Sequence, residues 1–235
     1  MSESAVASRA PGTARRAIQI VAPMGIWIAG LFLGAGTAHW ARGWISSAVY
    51  VIGMTVSGLI VRRANPGLIA ERANWRRKDT KGFDKVFLAA LMPLAMLQPV
   101  VGGMDAVRFG WLPISLTWLW PGIVLCGAAM SLVKWTLAVN RHAETTVRIQ
   151  ADRGHTVVTT GPYGFVRHPM YSGCILMFFA IPLMWGSGAA MAISVILSAL
   201  FVWRTVMEDR TLQSELPGYP EYARRTVFKL IPGIW

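Results

Sequence analysis

The chain predicts an all-α membrane protein of about six hydrophobic helices, the last two folded into a short hairpin. Three observations predict it. Hydrophobic residues make up 54% of the 235 residues and charged ones only 14%, where soluble domains average about 25% charged. Charge is absent from five long stretches, 17–41, 43–61, 86–104, 109–133 and 169–203. What charge remains is lopsided, with 23 Lys and Arg against 11 Asp and Glu for a net +12.

The first four charge-free stretches each fit one spanning helix, since about 20 apolar residues cross a hydrocarbon core of roughly 30 Å. The first is too long for a signal-peptide core of roughly 7–15 residues. It reads as a retained helix, behind a mobile basic segment at 1–16. Pro23, Pro93 and Pro182 sit inside apolar stretches, where membrane helices tolerate proline. The fifth stretch carries Gly186-Ser187-Gly188 near its middle. It therefore divides into two helices, about 170–185 and 189–204, each only roughly 22–25 Å long at 1.5 Å per residue. No breaker follows Arg204 before Pro217, so the second arm is expected to run on as an amphipathic helix. The organisation is thus 1–16, a basic N-terminus; 17–140, four transmembrane helices with a basic loop at 62–85; and 141–235, a region where polar chemistry gathers.

With the N-terminus cytoplasmic, six crossings put the N-terminus, the 62–85 and 141–168 loops and the C-terminal tail on one side. That side then holds 20 of the 23 Lys and Arg, which the positive-inside rule favours. Topology and attraction to anionic lipid account for the basic charge, and nucleic acid is not needed as a partner. The chain reads as a multi-pass protein of the plasma (inner) membrane with both termini cytoplasmic. Trp40, Trp44, Trp111 and Trp185 are expected as an aromatic belt at the outer interface. Cys126 and Cys174 fall inside membrane helices. His39, His142, His155 and His168 lack paired ligand spacing, so no metal site is expected. There is no Gly-rich phosphate loop and no nucleophile-elbow motif.

The segment Gln150-Ala151-Asp152-Arg153-Gly154-His155-Thr156-Val157-Val158 reads as a polar turn followed by a short extended piece. Gly161-Pro162 marks another turn. His168 precedes Pro169 and is biased away from helix, while Pro169 suits the first position of the next helix. Arg167 and His168 then stand beside a helix N-terminus, whose free N–H groups and partial positive charge can receive a carboxylate. Arg204 and Glu208, four residues apart, share a helix face. The hairpin returns that face to the membrane surface that holds His168, and Glu215–Tyr222 is placed to cover the pocket so formed. Taken singly, these residues have plain alternatives: Arg204 as a snorkelling interfacial cation, Tyr163 and Tyr171 as interfacial anchors.

Taken together they resemble the isoprenylcysteine carboxyl methyltransferase and phospholipid methyltransferase superfamily. The resemblance covers about residues 140–235. It rests on G-H-T-V-V-T-T-G-P-Y at Gly154–Tyr163, R-H-P-x-Y-x-G at Arg167–Gly173, R-x-x-x-E at Arg204–Glu208 and the run from Glu215 to Tyr222. It implies an S-adenosylmethionine-dependent membrane methyltransferase with a cytoplasmic cofactor pocket built from the 141–168 loop and the C-terminal helix and tail. By motif match, Gln150, His155, Thr156, Val157, Val158, Tyr163, His168, Pro169, Met170, Tyr171 and Glu208 line the cofactor pocket, and Arg204 stands near the methyl acceptor. Arg204 and Glu208 are the catalytic candidates. The acceptor is lipophilic: the carboxylate of an isoprenylated cysteine-like molecule, or a lipid amine. Two other readings stand beside it, an NADPH-dependent membrane reductase of sterol type and a non-catalytic lipid-binding protein.

Overall fold

A computed structural model describes residues 13–73 and 79–235, with side chains from Val21 onward. The expected mobile segment at 1–16 falls largely outside these residues, as do Arg76, Arg77 and Lys78 of the basic loop. The described chain is all-helical: α1 Thr13–Ala35, α2 Ala41–Ala64, a short α3 Leu68–Ala73, α4 Gly82–Gly103, α5 Leu119–Val139, α6 Pro169–Trp185, α7 Gly188–Glu215 and α8 Tyr219–Arg225. A π-helical turn, Met104–Phe109, prolongs α4.

Four helices are long and apolar enough to cross a membrane: α2, α4 with its π turn, α5 with the 3₁₀ turn before it, and α7. α1 and α6 are apolar but shorter over their described side chains. Helices run unbroken through Pro23, Pro93, Pro99 and Pro182. α5 packs along α6, α1 along α4, and α7 against both α4 and α6. Small residues permit the closest approaches. A Cβ on Gly173 would stand 2.6 Å from Val133 Cγ2, and one on Gly122 would stand 3.0 Å from the Met184 backbone nitrogen. The glycine of the R-H-P-x-Y-x-G stretch is thus an α5–α6 packing requirement. Trp44, Trp120, Val124 and Val195 point outward, as residues facing lipid do.

The hairpin turn is built as the Gly-Ser-Gly sequence predicts. Gly186 adopts φ +89°, and the N–H groups of Gly186 and Ser187 both donate to Pro182 O, a left-handed C-cap. The Arg42 guanidinium donates to the carbonyls of Leu183 and Met184 at the negative end of α6. Asp105 stands at the positive end of α7, accepting from Ser187 Oγ at 2.6 Å and Ala189 N–H at 3.0 Å. Both charges complement the helix dipoles.

Two expectations change. α5 starts at Leu119, ten residues into its charge-free stretch. Gly110 is left-handed at φ +63°, and residues 112–114 pair by backbone with the hairpin turn (Ile114 N–H to Gly186 O, Gly188 N–H to Leu112 O). Those hydrogen bonds replace helical ones. Trp185 is not at an interface: it is 1% exposed, packs on Trp27 and donates its indole N–H to Ser46 Oγ. The second arm runs on as expected: α6 spans 17 residues while α7 runs for 28, to Glu215. That extension carries Glu208 and Asp209 past the end of α6 and under the polar loop.

Candidate active site

At the end of the bundle where α6 begins and α7 continues, the 140–168 loop, the start of α6, the far half of α7 and α8 enclose a cavity. Its empty space is about 770 Å³, open mouth included. Of the twelve residues named from sequence, Gln150, His155, Thr156, Val157, Val158, Tyr163, His168, Met170, Tyr171, Arg204 and Glu208 line it, and Pro169 does not. Pro169 is buried at the first position of α6, directly behind the lining residues His168 and Met170.

The start of α6 differs from the expected anion receptor. His168 N–H donates to Lys229 O, Pro169 has no N–H, and Tyr171 N–H bonds back to His168 O. Among the described residues, Met170 therefore keeps the one unpaired N–H of this helix start. Arg167 is also spent. Its Nε and Nη2 donate to Asp209 Oδ1 and Oδ2 at 2.8 and 3.0 Å, and its Nη1 to the carbonyls of Thr226, Val227 and Ala223. Asp209 of its own chain thus takes the two-point contact that a ligand carboxylate would otherwise make with Arg167. The same carboxylate accepts from Tyr219 Oη at 2.9 Å and lies 3.4 Å from His168 Nε2. One buried acid thus ties α6, α7 and α8 together.

Glu208, one residue earlier, faces the cavity instead. The Tyr171 hydroxyl donates to its Oε2. Tyr171 stacks nearly parallel on His168 with ring centres 5.6 Å apart. The Arg204 guanidinium lies over the rings of Phe87 and Tyr171, at 4.4 and 5.1 Å, in cation–π geometry. Its Nη2 donates to Thr145 O at 2.9 Å, and its Nε lies 2.8 Å from Asp84 Oδ1.

The opposite wall is the 140–158 loop, held rigid by its own polar groups. Arg148 makes a two-point contact with Glu144, at 2.9 Å for both bonds, and also reaches Asp152 and Asp79. Glu144 and Asp152 push the Arg148 guanidinium further up than its usual value, against the desolvation of burial. Gln150 is spent much as Arg167 is: Nε2 donates to His142 O, and Oε1 meets His142 Nδ1 and Arg153 Nη1. It lines the cavity mainly as a brace. The His142 and His155 rings lie against each other, 4.6 Å apart. Burial, with His142 and Arg148 nearby, lowers the His155 imidazole to about 4. Burial lowers His142 as well. Both are neutral at pH 7. Arg141 Nε donates to His142 Nε2 and Gln150 N–H to His155 Nδ1, so the network assigns the protons to the other ring nitrogens.

Tyr163 accepts from Asn140 Nδ2 at 2.6 Å, and Tyr222 donates to Tyr163 O. Burial pushes the Tyr163 and Tyr219 phenols up, and Tyr222 to about 12. All three are un-ionised and present flat faces with hydrogen-bonding rims. Leu216, Tyr219 and Tyr222 of the Glu215–Tyr222 run line the cavity. Sequence reasoning missed Asn140, His142 and Asp84. None lies in a recognisable motif; Asn140 and His142 line the cavity, while Asp84 reaches the site from α4, far away along the chain.

The basic loop turns out to be divided. Arg62, Arg63 and Lys85 are exposed. Arg72 donates to Ala143 O, and Lys81 binds both oxygens of Glu215 at 2.7 Å. Those two hold the polar loop and the end of α7.

Comparisons with known proteins find three similarities. The sequence profile of the phospholipid methyltransferase family matches residues 117–216. The cobalt-zinc-cadmium resistance protein CzcN of Cupriavidus metallidurans is 34% identical over 126 residues, 52% of this chain and 56% of that protein. The match spans just over half the length of that relative. Among solved structures, a eukaryotic intramembrane Ras methyltransferase, isoprenylcysteine carboxyl methyltransferase, aligns with a TM-score of 0.49 and 16% identity over 95% of this chain and 88% of that one.

Proposed function

We propose that this chain, whose residues 117–216 match the phospholipid methyltransferase family, is a methyltransferase of that superfamily and moves a methyl group from S-adenosylmethionine to a lipophilic acceptor inside this cavity. The observation that carries the reading is the convergence of eleven of the twelve residues named from sequence on one cavity. The donor set fits the cofactor. Glu208 offers a carboxylate with bonding capacity to spare, Met170 an unpaired N–H, and Tyr163, Tyr171 and Tyr222 flat aromatic faces. When bound, S-adenosylmethionine supplies an electrophilic methyl group on a sulfonium centre.

The residues of the chain hold, orient and exclude water, which is most of what an in-line displacement needs. Glu208 and the tyrosine faces attract positive charge. Arg204 keeps Nη1 and one N–H of Nη2 for the acceptor. A carboxylate acceptor needs no base, and Arg204 orients it through two parallel hydrogen bonds. An amine acceptor must lose a proton, and Glu208 is the group placed to take it. The basic loops and tail support a cavity on the cytoplasmic side, in the plasma (inner) membrane.

Calorimetric titration of the detergent-purified protein tests the cofactor. S-adenosylmethionine is expected to bind and NADPH not to; the reverse overturns the assignment in favour of the reductase reading. Labelled cofactor offered with N-acetyl-S-farnesylcysteine or phosphatidylethanolamine then separates a carboxyl from an amine acceptor.

A further inference from the structure

Asp84 opens α4, outside the segment matched to the family, and has no exposed surface. A carboxylate so placed is costly unless its charge is met. One oxygen, Oδ2, accepts Val147 N–H at 2.8 Å. The other, Oδ1, lies 2.8 Å from Arg204 Nε, yet neither atom has a hydrogen bond of good geometry. They meet as a pair of charges, side by side. Three residues on, Phe87 covers the guanidinium face from the same helix. Val147 and Arg204 both line the cavity. A single acid thus fixes one wall residue and the cation opposite it.

We propose that Asp84 is a positioning residue for Arg204. It takes the Nε edge of the guanidinium, Thr145 O takes part of Nη2, and the Nη1 end is left toward the acceptor. Without Asp84 the buried guanidinium would turn to the nearest remaining acid, Glu208 on its own helix face, and both would leave their working positions. The inference rests on the methyl-transfer reading and adds to it a residue from the N-terminal half.

The test compares the full-length protein with Asp84→Asn, Asp84→Glu, Arg204→Ala and the Asp84→Asn/Arg204→Ala double variant. Labelled S-adenosylmethionine is the donor, N-acetyl-S-farnesylcysteine and phosphatidylethanolamine are the acceptor probes, and S-adenosylhomocysteine binding is followed by calorimetry. Asp84→Asn is expected to lower kcat roughly tenfold to a hundredfold, the range of coupling between contacting residues. Affinity for S-adenosylhomocysteine should stay within about twofold, as for distant sites that do not couple. Asp84→Glu should recover part of the rate. In the Asp84→Asn background, Arg204→Ala should cost far less than it does in the wild type. An unchanged kcat, equal loss of kcat and cofactor affinity, or fully additive effects in the double variant would overturn the positioning role while leaving the methyltransferase reading intact. A wild-type protein that binds no S-adenosylmethionine and labels neither acceptor would overturn both.

Discussion

The two ends of the α6–α7 hairpin use the same materials differently. At the turn, Arg42 and Asp105 give their charge to backbone groups: helix-end carbonyls for one, N–H groups and a hydroxyl for the other. Neither lines the cavity of the open end. At the open end, Arg167 and Asp209 do the same locking work, but Arg204 and Glu208 beside them keep bonding capacity and face empty space. Buried charge alone therefore does not mark a site. Buried charge with capacity left over, next to a cavity, does.

The contrast can be broken by mutation. The largest effect is expected from Arg204→Ala, where loss of one preorganised cation costs about 10²-fold in kcat while cofactor affinity changes little. An equal loss in both would place Arg204 at the cofactor. Glu208→Ala removes a charged partner worth about 1.5–3 kcal/mol and should weaken S-adenosylhomocysteine binding at least tenfold; His168→Ala should weaken it less. Calorimetry reads both. At the other end, Asp105→Ala should lower stability by roughly 1–3 kcal/mol, seen as a drop in thermal unfolding temperature in detergent. Cofactor affinity should be untouched. If Asp105→Ala weakens cofactor binding as much as Glu208→Ala does, the two ends are not separable.

A smaller effect sharpens the comparison through pH. His155 has a folded pKa of about 4, below its ordinary 6.5. Between those values the unfolded chain takes up a proton that the folded chain refuses, so stability falls as pH drops through 6.5 toward 4. His142, lowered in the same direction, adds to the slope. His155→Gln should flatten the dependence of unfolding temperature on pH in that window, and an unchanged slope would mean the loop is not the pH-sensitive part.

Much of this molecule was legible in one dimension because a membrane imposes simple rules. Charge-free stretches became helices over most of their length, since unpaired backbone is not tolerated in hydrocarbon. Gly186-Ser187-Gly188 had to interrupt one, and Pro169 had to begin one. The cavity residues were legible because most lie within about sixty residues of each other in recognisable motifs. Partner choice was hidden. Nothing in the order of residues distinguishes Arg167, consumed by Asp209, from Arg204, or Glu208 from its neighbour Asp209. On a helix those two acids point about 100° apart, and the packing of α6 and α8 determines which one is locked. Asp84 was equally invisible, being 120 positions from Arg204 in the chain.

Sequence by itself determined the solvent of the fold, the helices and the identity of the chemical groups, because hydropathy, proline and glycine act locally. Tertiary structure alone decided which of those groups are spent and which are free, because a buried charge is defined by the neighbours that packing brings to it.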